Sequence, residues 1–317
     1  MKIAFFWTPE FAWNILSWIL AYPELEISLV VSQPDKAIWR KRDIQTTAVK
    51  SVALTHNIRV IQPERIKKNA DFFDILNSLE LDFIVVVAYG KIIPKEILDI
   101  PRFWCINIHW SILPKYRGAS PVQAAIKNWD SQTGLTIMYM SQGMDEWDIL
   151  QIQKVSIDNI DTSEDIFEKF VSIGPKLLVD TLHKVIKWEI TWVPQNHSES
   201  SHCSKISRED GRISFWKQTS NEIFNTFRAY TSWPWIHTFY NEKRLVLEDI
   251  SLFDNTTENE IEGEIWECIK ISKNRYGILC CDWKILEVLR VKLEWKKSMD
   301  ALSFVNGNKE VLWYKFV

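Results

Sequence analysis

The chain has 317 residues, which is enough for about two domains with a core each. Its 46% of hydrophobic and 25% of charged residues are typical of a globular protein, and the net charge of −3 excludes a strong overall attraction to nucleic acid or acidic membranes. Because there is no apolar run of about 18 residues, no signal-peptide cleavage site and no C-x-x-C spacing among the five cysteines, we expect a cytoplasmic protein that does not enter a membrane.

Apolar runs and helical spacing alternate from the N-terminus to about residue 130. The run at 82–88 is continuously apolar, which is typical of a parallel strand covered on both faces. The alternation predicts a doubly wound parallel sheet, in which ligands bind beyond the carboxyl ends of the strands. The predicted strands cover residues 2–6, 26–32, 58–61, 82–88 and 105–110, and the predicted helices cover residues 10–21, 46–56, 69–79 and 121–128.

The first predicted domain, residues 1–187, ends with two strands and a long helix. The strands are expected at 134–140 and 149–156. The helix is expected from Thr162, where the sequence Thr-Ser-Glu-Asp resembles a capping box, to about Lys187.

Residues 188–204 are polar and show no period, so we interpret them as a linker. His197, His202 and Cys203 lie in this segment. Three potential ligands at irregular spacing do not predict a metal site, and we expect an exposed connector and no metal.

The second predicted domain covers residues 205–317. A helix at 219–230 precedes several short strands, which suggests a small β-barrel of the OB type, a fold that binds oligonucleotides. These strands are predicted at residues 236–240, 243–250, 263–271, 275–281 and 284–291.

Two polar residues interrupt the apolar strand at 105–110. Asn107 and His109 are two residues apart, so both side chains point to the same face of the strand. An amide and an imidazole at the end of a strand suit a reaction that builds negative charge on a carbonyl oxygen while a proton moves. From these two residues alone, an ordinary pair of satisfied polar groups is an equal alternative.

The contents of glycine and tryptophan are both unusual. The chain has 17 tryptophans and 9 glycines, whereas glycine makes up about 7% of an average protein. Several tryptophans occupy turn-like settings, in which glycine has the conformational advantage. We hypothesise that many of these tryptophans are encoded by UGA codons, in a lineage in which UGA encodes glycine. UGG codons at four positions would end this hypothesis: Trp7, Trp39, Trp110 and Trp147.

Seven segments form an ordered pattern along both predicted domains. They are F-F-W-T-P-E-F at 5–11, Q-P-D-K at 33–36, V-V-V-A-Y-G-K-I-I-P at 85–94, N-I-H-W-S-I-L-P-K-Y-R-G-A-S-P at 107–121, M-D-E-W-D-I-L at 144–150, E-D-G-R-I-S-F at 209–215 and F-R-A-Y-T-S-W-P-W at 227–235. In this order they resemble the methionyl-tRNA formyltransferase family. In that family, glycine or another small residue is usual at the positions of Trp7, Trp39, Trp110, Trp147 and Trp235.

The resemblance implies a formyltransferase-type Rossmann-like catalytic domain and a C-terminal tRNA-binding barrel. It also implies transfer of formyl from 10-formyltetrahydrofolate to the amino group of methionyl-initiator-tRNA. The matching catalytic positions are Asn107, His109 and Asp145. The Asn107 amide and a protonated His109 would stabilise the negative formyl oxygen, and the imidazole would supply the proton with which the folate nitrogen leaves. Asp145 would stabilise the charged ring, although a capping role in its turn is an alternative.

The same resemblance points to a folate pocket with an apolar wall and a few main-chain hydrogen bonds. Its apolar members could equally be core residues. The implied residues are Ser111, Ile112, Leu113 and Pro114, with the backbone of Ala88, Tyr89 and Gly90 lining the pterin site.

In this family the loop after Asp35 recognises tRNA. Between residues 36 and 50 this chain has five positive residues and one negative residue, a local charge of +4. Such a loop can hold phosphates beside an acceptor stem, although a solvated basic loop is the simpler interpretation without the resemblance. The implied tRNA contacts are Lys36, Arg40, Lys41 and Arg42.

Two alternatives remain open from the sequence. The first is a formyltransferase that acts on a small amine, for which neither the basic loop nor the second domain would be needed. The second is a tRNA-binding protein that has no activity because tryptophans fill its pocket. We expect a monomer.

Overall fold

The computed structural model describes residues 1–7, 12–37, 44–141, 143–253 and 263–316. The chain forms two compact units, each made of more than one stretch of sequence. Unit 1 contains residues 1–121, 132–156 and 167–204, and unit 2 contains residues 122–131, 157–166 and 205–317. None of the helices in the described ranges combines the length and the apolar character needed to cross a membrane.

The N-terminal elements follow the predicted alternation. They are β1 (Lys2–Trp7), α1 (Ala12–Ile19), β2 (Glu26–Val31), β3 (Lys36–Ala37), β4 (Ile44–Gln45), α2 (Ala48–Thr55), β5 (Val60–Ile61), α3 (Ala70–Ser78), β6 (Phe83–Val87), α4 (Lys95–Leu98), β7 (Cys105–His109), β8 (Arg117–Gly118), α5 (Pro121–Lys127), β9 (Gln132–Tyr139), β10 (Ile149–Ser156), α6 (Ser163–Ile186) and β11 (His202–Cys203). The predicted capping box at the start of α6 forms, because Thr162 N donates to Asp165 Oδ2 and Asp165 N donates to Thr162 Oγ1.

The main sheet of unit 1 has the strand order β10-β9-β7-β6-β1-β2-β5 in the part of the chain that is described. Five neighbouring strands of this sheet are parallel, namely β7, β6, β1, β2 and β5. This arrangement confirms the predicted doubly wound sheet. β9 runs antiparallel to β7, and β10 runs antiparallel to β9. Every residue of β6 is buried, in agreement with its uninterrupted apolar sequence.

The carboxyl ends of β1, β6 and β7 lie side by side because these three strands are parallel neighbours. The turn at 88–90 follows β6, and the loop at 110–118 follows β7. The topology therefore brings both segments to one edge of the sheet, where doubly wound folds bind ligands.

Unit 2 contains a curled antiparallel sheet, consistent with the predicted small OB-like barrel. Its strand order is β12-β13-β16-β15-β14, with β17 paired to β16. The larger of two clusters of buried side chains described in this unit includes Phe215, Leu247, Leu286, Phe304 and Phe316. The elements are α7 (Ser220–Ala229), β12 (His237–Tyr240), β13 (Lys243–Leu252), β14 (Cys268–Ser272), β15 (Arg275–Leu279), β16 (Ile285–Leu293), β17 (Met299–Asp300) and α8 (Ala301–Gly307).

Candidate active site

Asn107 and His109 belong to the second half of β7, which ends at His109. The period of two in a strand places both side chains on the same face. The intervening Ile108 is 1% exposed and belongs to the core. His109 is itself buried, at 5% exposure, whereas Asn107 is partly exposed. The strand thus presents an amide and an imidazole on the same face, with apolar packing behind them.

Asp145 lies on the loop between β9 and β10, 38 residues after Asn107 in the sequence, and contacts both side chains. Its Oδ1 accepts a hydrogen bond from Asn107 Nδ2 at 3.3 Å, and its Oδ2 lies 3.6 Å from His109 Nδ1. Oδ2 also accepts from the backbone N of Gly118 at 2.9 Å. Two segments of unit 1, strand β7 and the backbone of β8, therefore fix the position of this carboxylate.

Both ring nitrogens of His109 face oxygen atoms. Nε2 lies 2.9 Å from the carbonyl oxygen of Tyr116, and Nδ1 faces the Asp145 carboxylate. A carbonyl oxygen only accepts, so Nε2 carries a proton and donates it to this contact. A ring protonated at Nδ1 as well would form an ion pair with Asp145.

Hydrogen bonds within the first part of the loop after β7, and others to Thr136 of β9, hold residues 111–115 in place. Ser111 Oγ donates to Lys115 O at 2.6 Å, and Thr136 Oγ1 donates to Ser111 O at 2.6 Å. Leu113 N in turn donates to Thr136 Oγ1 at 3.2 Å. Ser111 and Leu113 are buried, while Ile112 and Pro114 are partly exposed and can face a ligand.

The turn after β6 exposes its backbone at the same edge. Ala88 and Gly90 both have left-handed φ angles, of 46° and 75°, and both are exposed. Tyr89 between them is buried, with its ring 5.4 Å from that of Phe6, and burial raises the pKa of Tyr89 to about 12. Gln33 Nε2 donates to Tyr89 O at 2.9 Å and so fixes the turn.

Two tryptophans adjoin the three polar residues in sequence. The ring of Trp110 packs against Phe167 and Phe170 of α6, with centroid distances of 5.3 and 5.5 Å. Trp147, on the loop that carries Asp145, is 48% exposed. The Trp110 ring is therefore part of the core between sheet and helix.

Segment 188–204 contributes a residue that the sequence did not reveal. Gln195 is 6% exposed and contacts both the Asp145 loop and Arg117. β11 in the same segment pairs with β8. A single glutamine in a polar, aperiodic run carries no sequence signal, and the contacts depend on residues about 50 and 78 positions away.

The predicted tRNA contacts are mostly beyond the described residues. Lys36 begins β3, whereas Arg40, Lys41 and Arg42 lie outside the described ranges. Lys50, another positive residue of this segment, is engaged at the base of the loop, because its Nζ lies 2.5 Å from Asp35 Oδ2. It also donates to Gln62 Oε1 at 2.7 Å.

No group of three or more His, Cys, Asp or Glu residues in the described ranges is arranged to hold a metal ion. His197 Nδ1 accepts a hydrogen bond from Arg117 Nη2 at 3.2 Å, and Cys203 Sγ lies 3.4 Å from Arg117 O. Both residues are thus engaged by the loop after β7.

Solved structures show the same fold. A sugar 3N-formyl transferase, WlaRD, solved in the presence of dTDP and 5-N-formyl-THF, matches 94% of this chain and 99% of its own with a TM-score of 0.63 and 21% identity. HypX from Aquifex aeolicus, in complex with tetrahydrofolic acid, matches 96% of this chain and 46% of its own with a TM-score of 0.61 and 12% identity.

Sequence relatives and family models match the chain over almost its full length. The methionyl-tRNA formyltransferase of Caldicellulosiruptor saccharolyticus is 39% identical over 98% of this chain and 97% of the relative. That of Mesoplasma florum is 34% identical over 97% of this chain and 96% of the relative. The model "Formyl transferase" matches residues 1–182, and "Formyl transferase, C-terminal domain" matches residues 205–309. This chain belongs to the methionyl-tRNA formyltransferase family.

Proposed function

We propose that this protein transfers the formyl group of 10-formyltetrahydrofolate to the amino group of methionyl-initiator-tRNA, as a cytoplasmic monomer. Relatives of this name, at 34–39% identity over nearly the whole chain, support the reaction. The observation that carries the catalytic assignment is the meeting of Asn107, His109 and Asp145 at the carboxyl edge of the sheet.

The reaction needs a group that stabilises negative charge and a group that gives up a proton. The amine of the aminoacyl-tRNA attacks the formyl carbon, and the formyl oxygen becomes negative. Asn107 uses one amide hydrogen for Asp145 and has a second that can be donated to this oxygen. The amine nitrogen loses a proton after attack, and the folate nitrogen leaves with one, so His109 acts as the proton carrier.

Asp145 supports the charged form of the ring. Its carboxylate faces Nδ1, and its side chain is 14% exposed, so water screens the pair weakly. The bond from Nε2 to Tyr116 O leaves Nδ1 as the nitrogen that exchanges a proton, directly or through water.

The folate donor would bind between the turn at 88–90 and the loop at 111–114. The exposed left-handed backbone at Ala88 and Gly90 offers main-chain groups to a pterin, while Ile112 and Pro114 provide apolar surface. The two folate-bound structures with this fold support a folate donor. For the tRNA, we propose phosphate contacts from the positive residues after Asp35, namely Lys36, Arg40, Lys41 and Arg42.

The direct test is formylation of charged initiator tRNA by the purified protein with formyl-labelled 10-formyltetrahydrofolate. We expect label on the methionine and none on an amino-sugar nucleotide or glycinamide ribonucleotide offered instead. His109→Ala should lose turnover while retaining tRNA binding in a filter assay. Labelling of a small amine, or failure of the wild-type protein to formylate tRNA while it binds tRNA, would contradict the proposal.

A further inference from the structure

The side-chain amide of Gln195 makes four hydrogen bonds to nitrogen and oxygen atoms, besides a longer contact of 4.0 Å from Nε2 to Met138 Sδ. Its Oε1 accepts from Arg117 Nε at 3.1 Å and from Arg117 Nη2 at 2.6 Å. Its Nε2 donates to Asp145 O at 3.0 Å and to Trp147 O at 2.7 Å. An amide oxygen can accept two hydrogen bonds and an amide nitrogen can donate two, so all donor and acceptor sites of this buried side chain are used.

These bonds connect the two loops that surround His109. In the loop after β7, Tyr116 O accepts from His109 Nε2, and Gly118 N donates to Asp145 Oδ2. The other loop carries Asp145, whose backbone has a left-handed φ of 53°. A non-glycine residue in that conformation needs support from its surroundings, and the bond from Gln195 to its carbonyl oxygen provides it.

We infer that Gln195 is a positioning residue for Asp145. It sets the main chain at 145–147 against the guanidinium of Arg117, which is 3% exposed. The chemistry at His109 then depends on segment 188–204, which touches no reacting atom. This inference rests on the proposed formyl transfer.

Gln195→Glu is the sharpest test. It retains an acceptor for Arg117 but removes both N–H donors to the carbonyl oxygens of 145 and 147. Asn196→Ala is the matched control, because Asn196 is exposed and its side chain contacts only its own turn. We expect kcat of Gln195→Glu to fall by about tenfold to a hundredfold, the range caused by a displacement near 1 Å, with KM for tRNA nearly unchanged. The unfolding temperature should fall as well, because two carbonyl oxygens lose their donor.

A double-mutant cycle distinguishes positioning from general stability. In an Asp145→Asn background, Gln195→Glu should have little further effect on kcat, because both changes act on one carboxylate. Multiplicative effects, or a kcat equal to the wild type in the single variant, would overturn the inference. An inactive wild-type protein would instead contradict the proposed function.

A separate observation concerns tryptophans in left-handed backbone. Among the described residues, 16 non-glycine residues have positive φ, and eight of them are tryptophans with φ between 57° and 88°. Only two of the glycines in these ranges have positive φ. A bulky residue in this region is an outlier, whereas glycine occupies it freely. The eight are Trp104, Trp129, Trp188, Trp235, Trp266, Trp283, Trp295 and Trp313.

Two of them end helices in the Schellman arrangement, which usually has glycine at its left-handed position. After α5, Trp129 N donates to Ile126 O and Asp130 N donates to Ala125 O, at 3.1 and 3.0 Å. After α6, Trp188 N donates to Val185 O and the next residue donates to Lys184 O, at 3.1 and 2.9 Å.

We propose that all eight positions carry glycine in the protein made by its own cells, with UGA as the codon. The φ angles identify these eight positions. This evidence is independent of the amino-acid composition, which first suggested recoding. Seven of the eight side chains are exposed, so most of the indoles do not contribute to a core.

Peptide mass spectrometry of the protein from its own cells tests this directly. Glycine at 129 and 188 is expected, and tryptophan there would overturn the proposal. In the chain with tryptophan, Trp129→Gly and Trp283→Gly should each raise the unfolding temperature. Trp18→Gly, an equally exposed control inside α1, should lower it, because glycine weakens a helix interior. A lower unfolding temperature for both test variants would also contradict the proposal.

Discussion

Asp145 shows how much support one side chain of the site receives. Its left-handed backbone costs about 1–3 kcal/mol, yet its carboxylate accepts from Asn107 and from the backbone of Gly118. Such strain persists where neighbouring contacts determine the conformation, and it is frequent at functional positions. Removing the charge without changing the shape therefore separates its electrostatic role from its structural role.

Asp145→Asn should reduce kcat by about 100-fold or more, because a neutral amide does not stabilise a protonated His109. The backbone N of Gly118 can still donate to the amide oxygen, so the unfolding free energy should change little. Steady-state formylation and urea denaturation measure the two effects. Asp148→Asn, on the same loop, is the control and should retain the wild-type kcat; an equal loss in both variants would contradict a specific role.

At the scale of elements, β8 and β11 join the loop after β7 to segment 188–204. Gly118 has a φ of 118°, which side chains rarely adopt, and a Cβ there would overlap the carbonyl oxygen of Cys203. This pairing also places the Gly118 N–H against Asp145.

Gly118→Ala should therefore lower both the unfolding temperature and kcat. Gly307→Ala is a matched control at the end of α8, where a Cβ meets no other atom within 4 Å, and it should be neutral or stabilising. Thermal unfolding by circular dichroism and the formylation assay give the comparison. Normal kcat in Gly118→Ala would show that this pairing does not support the site.

A second contact between elements joins the ends of β2 and β5 to α2. Hydrogen bonds from Gln62 and Lys50 lower the pKa of the Asp35 carboxyl below its usual value of 3.8. A carboxyl with a lowered folded-state pKa stabilises the fold above the unfolded pKa, and this contribution is lost as the pH falls through the folded-state pKa.

Gln62→Leu should therefore reduce the unfolding free energy by about 1 kcal/mol at pH 7, and by less as the pH falls through the folded-state pKa of Asp35, which lies below 3.8. Urea denaturation at pH 7 and at pH 3 measures the difference. Gln153→Leu, an exposed position on β10, should show no such dependence. A loss of equal size at both pH values would assign the effect to packing rather than to the charge of Asp35.

The elements themselves were largely predictable. The helix expected from Thr162 to about Lys187 is found at Ser163–Ile186, because its caps and apolar spacing are local signals. Asn107 and His109 follow from the period of two in a strand. Asp145 required the family resemblance, since 38 residues separate it from Asn107. Gln195 could not be found, because its partners come together only in the folded chain.

For the whole molecule, the sequence boundary at 205 does not coincide with the edges of unit 2. This unit also contains residues 122–131 and 157–166. Arg228 of α7 is 3% exposed and donates from Nη1 to Asp158 O at 3.1 Å and to Asp161 O at 2.7 Å. Burial lowers the pKa of this guanidinium, so its stability as a charged group depends on these carbonyl oxygens.

Arg228→Met should destabilise the full chain by about 1–3 kcal/mol, because two carbonyl oxygens lose their charged donor. In a fragment of residues 205–317, which lacks both carbonyl groups, the same change should have a smaller effect. Urea denaturation of the four proteins gives the comparison. Equal destabilisation in chain and fragment would assign the effect to Asn225, which also accepts from Arg228.

The contact between His109 Nε2 and Tyr116 O has a consequence for how this enzyme can vary. The acceptor is a main-chain oxygen, which any amino acid at position 116 would supply. Inherited substitutions at 116 therefore leave this side of the ring unchanged. Substitutions at 145 alter the group opposite Nδ1. Sequence changes can thus alter the hydrogen-bond partner of the imidazole mainly at Nδ1 and not at Nε2.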